Sequence, residues 1–229
     1  MKAMILAAGR GVRMAPLTDR IPKPLLEVGG ESLLVRQIRA LARSGIHDLV
    51  INLSYRGGII RETIGDGAEL GVGIRYSDEG PTPLETAGGI RAALELLRPG
   101  PFLVVNGDLV TDFPYATLML HADEAARIVL VPNPSHHPKG DFALVHDRVR
   151  IMGTPRLTFA GIGLYSADLF ERVPPGEPVP LAPLLRQWAL AGVLGGEVYN
   201  GSWQDIGTPE AWTSANDQLA TLPNLPGSG

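Results

Sequence analysis

Cysteine is missing from this 229-residue chain. That excludes a disulfide framework, a thiolate metal site and a cysteine nucleophile. No Gly-Lys-Ser or Gly-Lys-Thr occurs, so the loop of the P-loop enzymes is absent. No Gly-x-Ser-x-Gly elbow is present either, which leaves a serine hydrolase without its nucleophile turn. No stretch of about 18 uninterrupted apolar residues appears, so no membrane partner is expected. The N-terminus runs straight into a strand pattern without the apolar region of a signal peptide, and a cytoplasmic location is the simple expectation. Lysine is scarce: only Lys2, Lys23 and Lys139 stand among 20 cations. Where arginine is the habitual cation, a retained lysine points to a site that wants a compact ammonium. The net charge of −4 gives no support to a nucleic-acid partner.

With 45% hydrophobic residues, the chain can bury the core of one α/β domain. Strand-like runs alternate with helical ones, which predicts a mainly parallel sheet flanked by helices. Strands are expected at 2–6, 49–53, 72–76, 102–106, 128–131, 142–145, 149–151 and 157–164. Helices are expected at 33–43 (capped by Ser32 and ended by Gly45), 59–64, 86–97, 181–191 and 209–219. The Pro/Gly/Ser-rich stretch 221–229 reads as a frayed tail behind a single domain, 1–220.

The richest segment follows the first strand: Gly9-x-Gly11-x-Arg13-Met14-x-Pro16-Leu17-Thr18, then Pro22-Lys23-Pro24. Glycines let backbone N–H groups approach an anion closely, and Arg13 and Lys23 add positive charge at the same mouth. A dinucleotide fingerprint is excluded, because Met14 stands where the third glycine belongs and Pro16 would spoil the helix start. Two acidic positions stand out further along. Asp108 emerges after Val104-Val105-Asn106-Gly107, at the carboxyl end of an apolar strand, where open α/β sheets bind ligands. Asp205 lies in Trp203-Gln204-Asp205-Ile206-Gly207-Thr208. Taken singly, Asp108 also suits a turn and Asp205 a helix cap. Together with phosphate oxygens the two carboxylates would suit Mg²⁺. Leu84-Glu85-Thr86-Ala87-Gly88-Gly89 places small residues at a helix start, fit either for close packing or for presenting amides to a ligand. His136-His137 sits in a proline-rich loop with no third metal ligand at a suitable spacing.

The glycine loop, Asn106-Gly107-Asp108 and Trp203-x-Asp205-Ile206-Gly207-Thr208-Pro209 resemble the motifs of the sugar-1-phosphate nucleotidyltransferases. The resemblance covers most of the chain. It implies a Rossmann-like three-layer sandwich in which an NTP and a sugar 1-phosphate give an NDP-sugar and pyrophosphate. It implies that Ala8, Gly9, Gly11, Val12, Arg13 and Lys23 bind the nucleotide phosphates, with Arg13 and Lys23 catalytic. Glu79, Thr86, Gly88 and Asn106 would complete the nucleotide site, and Asp108 and Asp205 would hold a catalytic Mg²⁺. Residues 132–142, 158–162 and 181–187 look like the bacterial N-acetylmuramate-1-phosphate uridylyltransferase branch, which recycles a cell-wall sugar with UTP. In that branch Asn106, Asn133, Asp141 and Gly161 would lie near the sugar. A mannose-1-phosphate guanylyltransferase or glucose-1-phosphate thymidylyltransferase-like enzyme keeps the same chemistry. A non-catalytic nucleotide-sugar sensor is the reading from another class. The oligomeric state is left open.

Overall fold

Ala3, Met4 and Ile5 are all fully buried, yet they face different ways. Ala3 and Ile5 join one apolar cluster and Met4 joins another. A strand covered on both faces needs this continuous apolar run, because successive side chains point to opposite sides. The strand is β1 (Lys2–Leu6) in a computed structural model that describes residues 1–221. Three short 3₁₀ turns follow it, and then β2 (Glu27–Val28) and β3 (Glu31–Ser32) form a small hairpin.

Helix α1 (Leu33–Arg43) begins where the Ser32 hydroxyl accepts the Val35 N–H at 3.3 Å. Such a cap stabilises a helix by about 1 kcal/mol. Its Leu34, Ile38 and Leu41 lie on one face and are fully buried, each contributing roughly 1.5–3 kcal/mol as an upper bound. The chain continues through β4 (Asp48–Leu53), α2 (Gly57–Ile64), β5 (Gly73–Asp78), α3 (Glu85–Ala92), α4 (Leu94–Leu97), β6 (Phe102–Asn106) and β7 (Leu109–Thr111). It then forms β8 (Ala126–Val131), β9 (Phe142–Val145), β10 (Arg148–Arg150), β11 (Arg156–Tyr165), α5 (Leu181–Leu190), β12 (Leu194–Val198), β13 (Trp203–Asp205) and α6 (Pro209–Thr221). Of the tail expected at 221–229, all but Thr221 lies outside the described residues.

Nine strands make one sheet in the order β5-β4-β1-β6-β11-β8-β12-β10-β9. The first four are parallel to one another. β11 runs antiparallel to both β6 and β8, and β12 is again parallel to β8. Helices α1 and α2 pack on one face of the sheet, and α3, α4 and α5 on the other. The architecture is therefore a three-layer α/β sandwich. A third, smaller cluster gathers Met14, Leu26, Val28, Leu33, Ile206 and Ala215.

Two local features position what lies at the carboxyl ends of the strands. β7 and β13 form a separate two-stranded ribbon, with Leu109 opposite Asp205. In β11 the register against β8 slips between Phe159 and Gly163. Gly161, at φ 73°, sits inside this bulge. Bulges of this kind re-aim a strand beside a site, and the left-handed region suits glycine. Among the described residues no helix is long and apolar enough to cross a membrane.

Candidate active site

The strand ends open into a cleft of about 460 Å³. Ala8, Gly9, Gly11, Val12, Arg13 and Lys23 line it from the glycine loop, with Glu79, Thr86, Asn106 and Asp108 on the remaining walls. The loop is held in shape by internal bonds. The Gly11 carbonyl accepts the Met14 N–H and the Thr18 hydroxyl, both at 2.9 Å. Gly11 itself lies at φ 64°, and a Cβ there would stand 3.0 Å from the Lys23 Cβ. Any other residue at position 11 would be strained in its backbone and would crowd the lysine.

Lys23 forms a short ion pair with Asp108 inside the cleft wall. Asp205 comes to the same end of the molecule through the ribbon, and the Ile206 N–H donates to the Asp108 carbonyl at 2.8 Å. Two carboxylates about a hundred residues apart in sequence are thus carried on adjacent backbone segments. Gly207 lies between Asp205 and Arg13. A Cβ at this glycine would stand 3.2 Å from Asp205 Oδ2 and 3.3 Å from Arg13 Nη2.

The fit to a divalent cation can be judged from the carboxylates. Asp205 Oδ1 is buried without a hydrogen-bond partner. His136 Nε2 approaches it at 3.3 Å, but the contact lacks hydrogen-bond geometry. A hard oxygen left unsatisfied, on a segment whose backbone bonds to that of a second aspartate, is the kind of donor that Mg²⁺ takes, with substrate phosphates completing the shell. Among the described residues no group of three or more His, Cys, Asp or Glu side chains gathers into a self-sufficient metal cage. The two aspartates fit a cation that is shared with a phosphate ligand.

Glu79 is tied on both oxygens. Asn52 Nδ2 donates to its Oε1 at 2.6 Å, and the Leu84 N–H donates to Oε2 at 2.7 Å. Asn52 in turn accepts the Ala7 N–H at 2.7 Å. This relay braces the glycine loop against the start of α3. Asn52, buried at the end of β4, was missed from sequence. Its signal was a polar residue interrupting the apolar run 49–53 next to its carboxyl end. Glu85 was missed as a site residue too. It lines the cleft and is, among the described residues, one of three non-glycine residues at positive φ, 59°.

Three of the expected residues line neither the cleft nor the smaller cavity beside it. The Gly88 N–H donates to the Val179 carbonyl at 3.1 Å. A Cβ at this position would collide with the Glu177 carbonyl, so close packing here requires the glycine. Asn133 spends its side chain on β11, donating to the Arg156 carbonyl at 3.0 Å and accepting from Thr158 at 2.9 Å. Asp141 accepts the Phe159 N–H at 2.8 Å and meets His137 at 3.0 Å. Both clamp the loop to β11, and neither lines the cleft or the smaller cavity beside it. Gly161 and Asn106 do. They border a second cavity of about 290 Å³ that shares Leu6, Glu85, Thr86 and Asn106 with the cleft.

Comparison with known proteins bears on what this arrangement serves. Residues 2–147 match the model of the nucleotidyl transferase family. The chain is 44% identical over 216 residues to the N-acetylmuramate alpha-1-phosphate uridylyltransferase of Neisseria meningitidis, covering 91% of this chain and 94% of that one. It is 32% identical to the mannose-1-phosphate guanyltransferase of Debaryomyces hansenii, covering 93% of this chain but spanning only 63% of the relative. In three dimensions it superposes on HddC from Yersinia pseudotuberculosis complexed with GMP-PN with a TM-score of 0.77. There the identity is 22%, with 95% of this chain and 99% of that chain covered, which speaks for the fold alone.

Proposed function

The chain belongs to the nucleotidyl transferase family, and on that footing we propose that it converts UTP and N-acetylmuramate 1-phosphate to UDP-N-acetylmuramate and pyrophosphate. Such a reaction would return a cell-wall sugar to use. The observation that carries this reading is the convergence on one cleft of the glycine loop, Arg13, Lys23 and Asp108, with a second cavity opening beside Asn106. The larger space suits a nucleotide and the adjoining one its acceptor. The 44% identity to a uridylyltransferase supports UTP and this sugar over other pairs.

In the proposed reaction an oxygen of the sugar phosphate attacks the α-phosphorus. The bond from the α-phosphorus to the bridging oxygen breaks, and pyrophosphate leaves with the electron pair. No protein nucleophile is needed, so catalysis rests on positioning and on balancing charge. Loop amides around Gly9 and Gly11, with Arg13, hold the outer phosphates and offset the charge of the leaving pyrophosphate. Lys23 serves the phosphate nearest the reacting centre, reaching it from its place on Asp108. Asp108 and Asp205 would hold Mg²⁺, which supplies Lewis-acid stabilisation of phosphate charge when bound. Asn106, on the border of both cavities, orients the acceptor phosphate towards the nucleotide. Glu79 acts through the loop it braces.

A guanylyltransferase of mannose 1-phosphate is the second reading, favoured by the 32% identity to such enzymes. The deciding experiment is pyrophosphate release from a matrix of five nucleoside triphosphates and several sugar 1-phosphates with Mg²⁺. Turnover confined to UTP and N-acetylmuramate 1-phosphate is expected. Turnover with GTP and mannose 1-phosphate would replace the substrates and keep the chemistry. Nucleotide binding with no turnover across the matrix would overturn the enzyme reading in favour of a sensor.

A further inference from the structure

Among the described residues Arg56, Glu85 and His146 are the non-glycines at positive φ, at 53°, 59° and 55°. Local structure accounts for two of them. His146 stands in the two-residue turn from β9 to β10, where a tight hairpin calls for positive φ. Arg56 donates from its guanidinium to the Asp19 carbonyl at 2.7 Å and the Tyr55 hydroxyl at 3.0 Å. Glu85 differs. Its backbone is set by its neighbours. Glu79 accepts the Leu84 N–H. The Val179 N–H donates to the Leu84 carbonyl at 3.0 Å, and the Val179 carbonyl accepts the Ala87 N–H at 2.9 Å. Glycine would adopt the same conformation without strain. The Glu85 carboxylate meets no hydrogen-bond or ion-pair partner among the described residues. Strain of this kind gathers where a side chain has a task outside the fold.

Its position says what that task is. Glu85 borders both the cleft and the second cavity, together with Leu6, Thr86 and Asn106. In a transfer between the two spaces the α-phosphorus stands at this border, and the ribose is joined to it through a single oxygen. A carboxylate repels the phosphates, so its partner is a neutral donor. N-acetylmuramate 1-phosphate carries an amide at C2, an ether at C3 and an acid of its own, which leaves it no adjacent pair of hydroxyls. Uracil offers one N–H, further from the α-phosphorus. Ribose offers two adjacent hydroxyls, which match the two acceptor oxygens of a carboxylate.

We propose that Glu85 accepts the 2′- and 3′-hydroxyls of the nucleotide's ribose and so selects ribonucleotides over deoxyribonucleotides. The assignment rests on reading the cleft as a nucleotide site, and it extends that reading from the base to the sugar. A deoxythymidine nucleotide lacks one of the two hydroxyls and is disfavoured. Glycine at position 85 would fit the backbone and select nothing.

The test is calorimetric binding of UTP and 2′-deoxyUTP with Mg²⁺ present, with N-acetylmuramate 1-phosphate as a separate titrant. The wild type is expected to prefer UTP by about tenfold, the worth of one charge-assisted hydrogen bond. Glu85→Gly should bring that preference within about twofold, and its thermal midpoint should not fall, since glycine relieves the left-handed backbone. Glu85→Gln keeps the length and removes the charge. It should leave a preference of about threefold, because charge roughly doubles the strength of such a bond. Equal affinity of the wild type for the two nucleotides overturns the assignment and leaves the nucleotidyl-transfer reading standing. So does a preference that survives both substitutions. Weakening confined to the sugar phosphate would move the carboxylate to the acceptor and likewise overturns it. A wild type that binds neither nucleotide overturns the reading of the site, and the ribose assignment with it.

Discussion

Replacing Gln37 with leucine perturbs the candidate site from a distance and at a calculable cost. Gln37 lies inside α1 and is 2% exposed. Its amide nitrogen donates to the Leu109 carbonyl at 2.9 Å, and its amide oxygen accepts the Tyr115 hydroxyl at 2.8 Å. Leu109 opens β7, follows Asp108 and pairs with Asp205. One side chain thus tethers the helix layer to the ribbon that carries both aspartates. Leucine has nearly the same volume but leaves a buried carbonyl and a buried phenol without partners, about 1–3 kcal/mol each. The added apolar burial offsets part of this, so a net loss of about 2–4 kcal/mol is expected. That is a large share of the roughly 5–15 kcal/mol that holds a typical protein folded. Urea unfolding should show it as a lower midpoint with an unchanged slope. The same variant should lose turnover several-fold while UTP affinity holds, because the loosened ribbon disturbs the aspartates more than the glycine loop. A loss below about 0.5 kcal/mol would show that the two groups find other partners and that Gln37 is no tether.

Arg13→Ala and Lys23→Ala should each lower turnover by about tenfold or more, at least about 1.4 kcal/mol in barrier. Near-normal rates in both would remove them from the phosphate site. Asp205→Asn keeps shape and removes charge, so calorimetric titration of Mg²⁺ into the nucleotide complex should show affinity at least about tenfold weaker. Unchanged affinity would take Asp205 out of the metal set. Gly161→Ala forces a side chain into a left-handed position, costing about 1–2 kcal/mol, and drives its methyl into the Asn106 amide. A raised KM for the sugar phosphate with a lower unfolding midpoint is expected, and a variant normal in both would refute the packing argument.

Most of the sheet was legible because its strands are buried on both faces and read as unbroken apolar runs. The expected strand at 102–106 coincides with β6, whereas β12 went unread. Its Leu-Gly-Gly-Glu-Val pattern dilutes the strand signal, yet a Cβ at Gly195 would collide with Glu124 and one at Gly196 would crowd Val149. Glycines that weaken a local pattern can be required by a neighbour that the local pattern does not include. The site divides in the same way. The glycine loop and both aspartates stand in recognisable local motifs, and the structure brings them to one end of the sheet. Asn133 and Asp141, expected near the sugar from the family resemblance, hold the loop to β11, and nothing in the local sequence announces that second task. Their partners lie 18 to 25 residues away.

The third apolar cluster explains how the two charged sides of the cleft keep their relation. Met14, at the position that a dinucleotide loop would give to glycine, is fully buried. It anchors the turn carrying Arg13 in the same cluster as Ile206, the residue after Asp205. Arg13 and Asp205 are therefore each one residue away from a shared apolar plug. Gly207 then lets them approach without a side chain between them. Rigid packing transmits displacement, so a shift of the glycine loop moves the Asp205 segment with it. Met14 thus excludes dinucleotide geometry and, through the same packing, couples the two charged sides of the cleft.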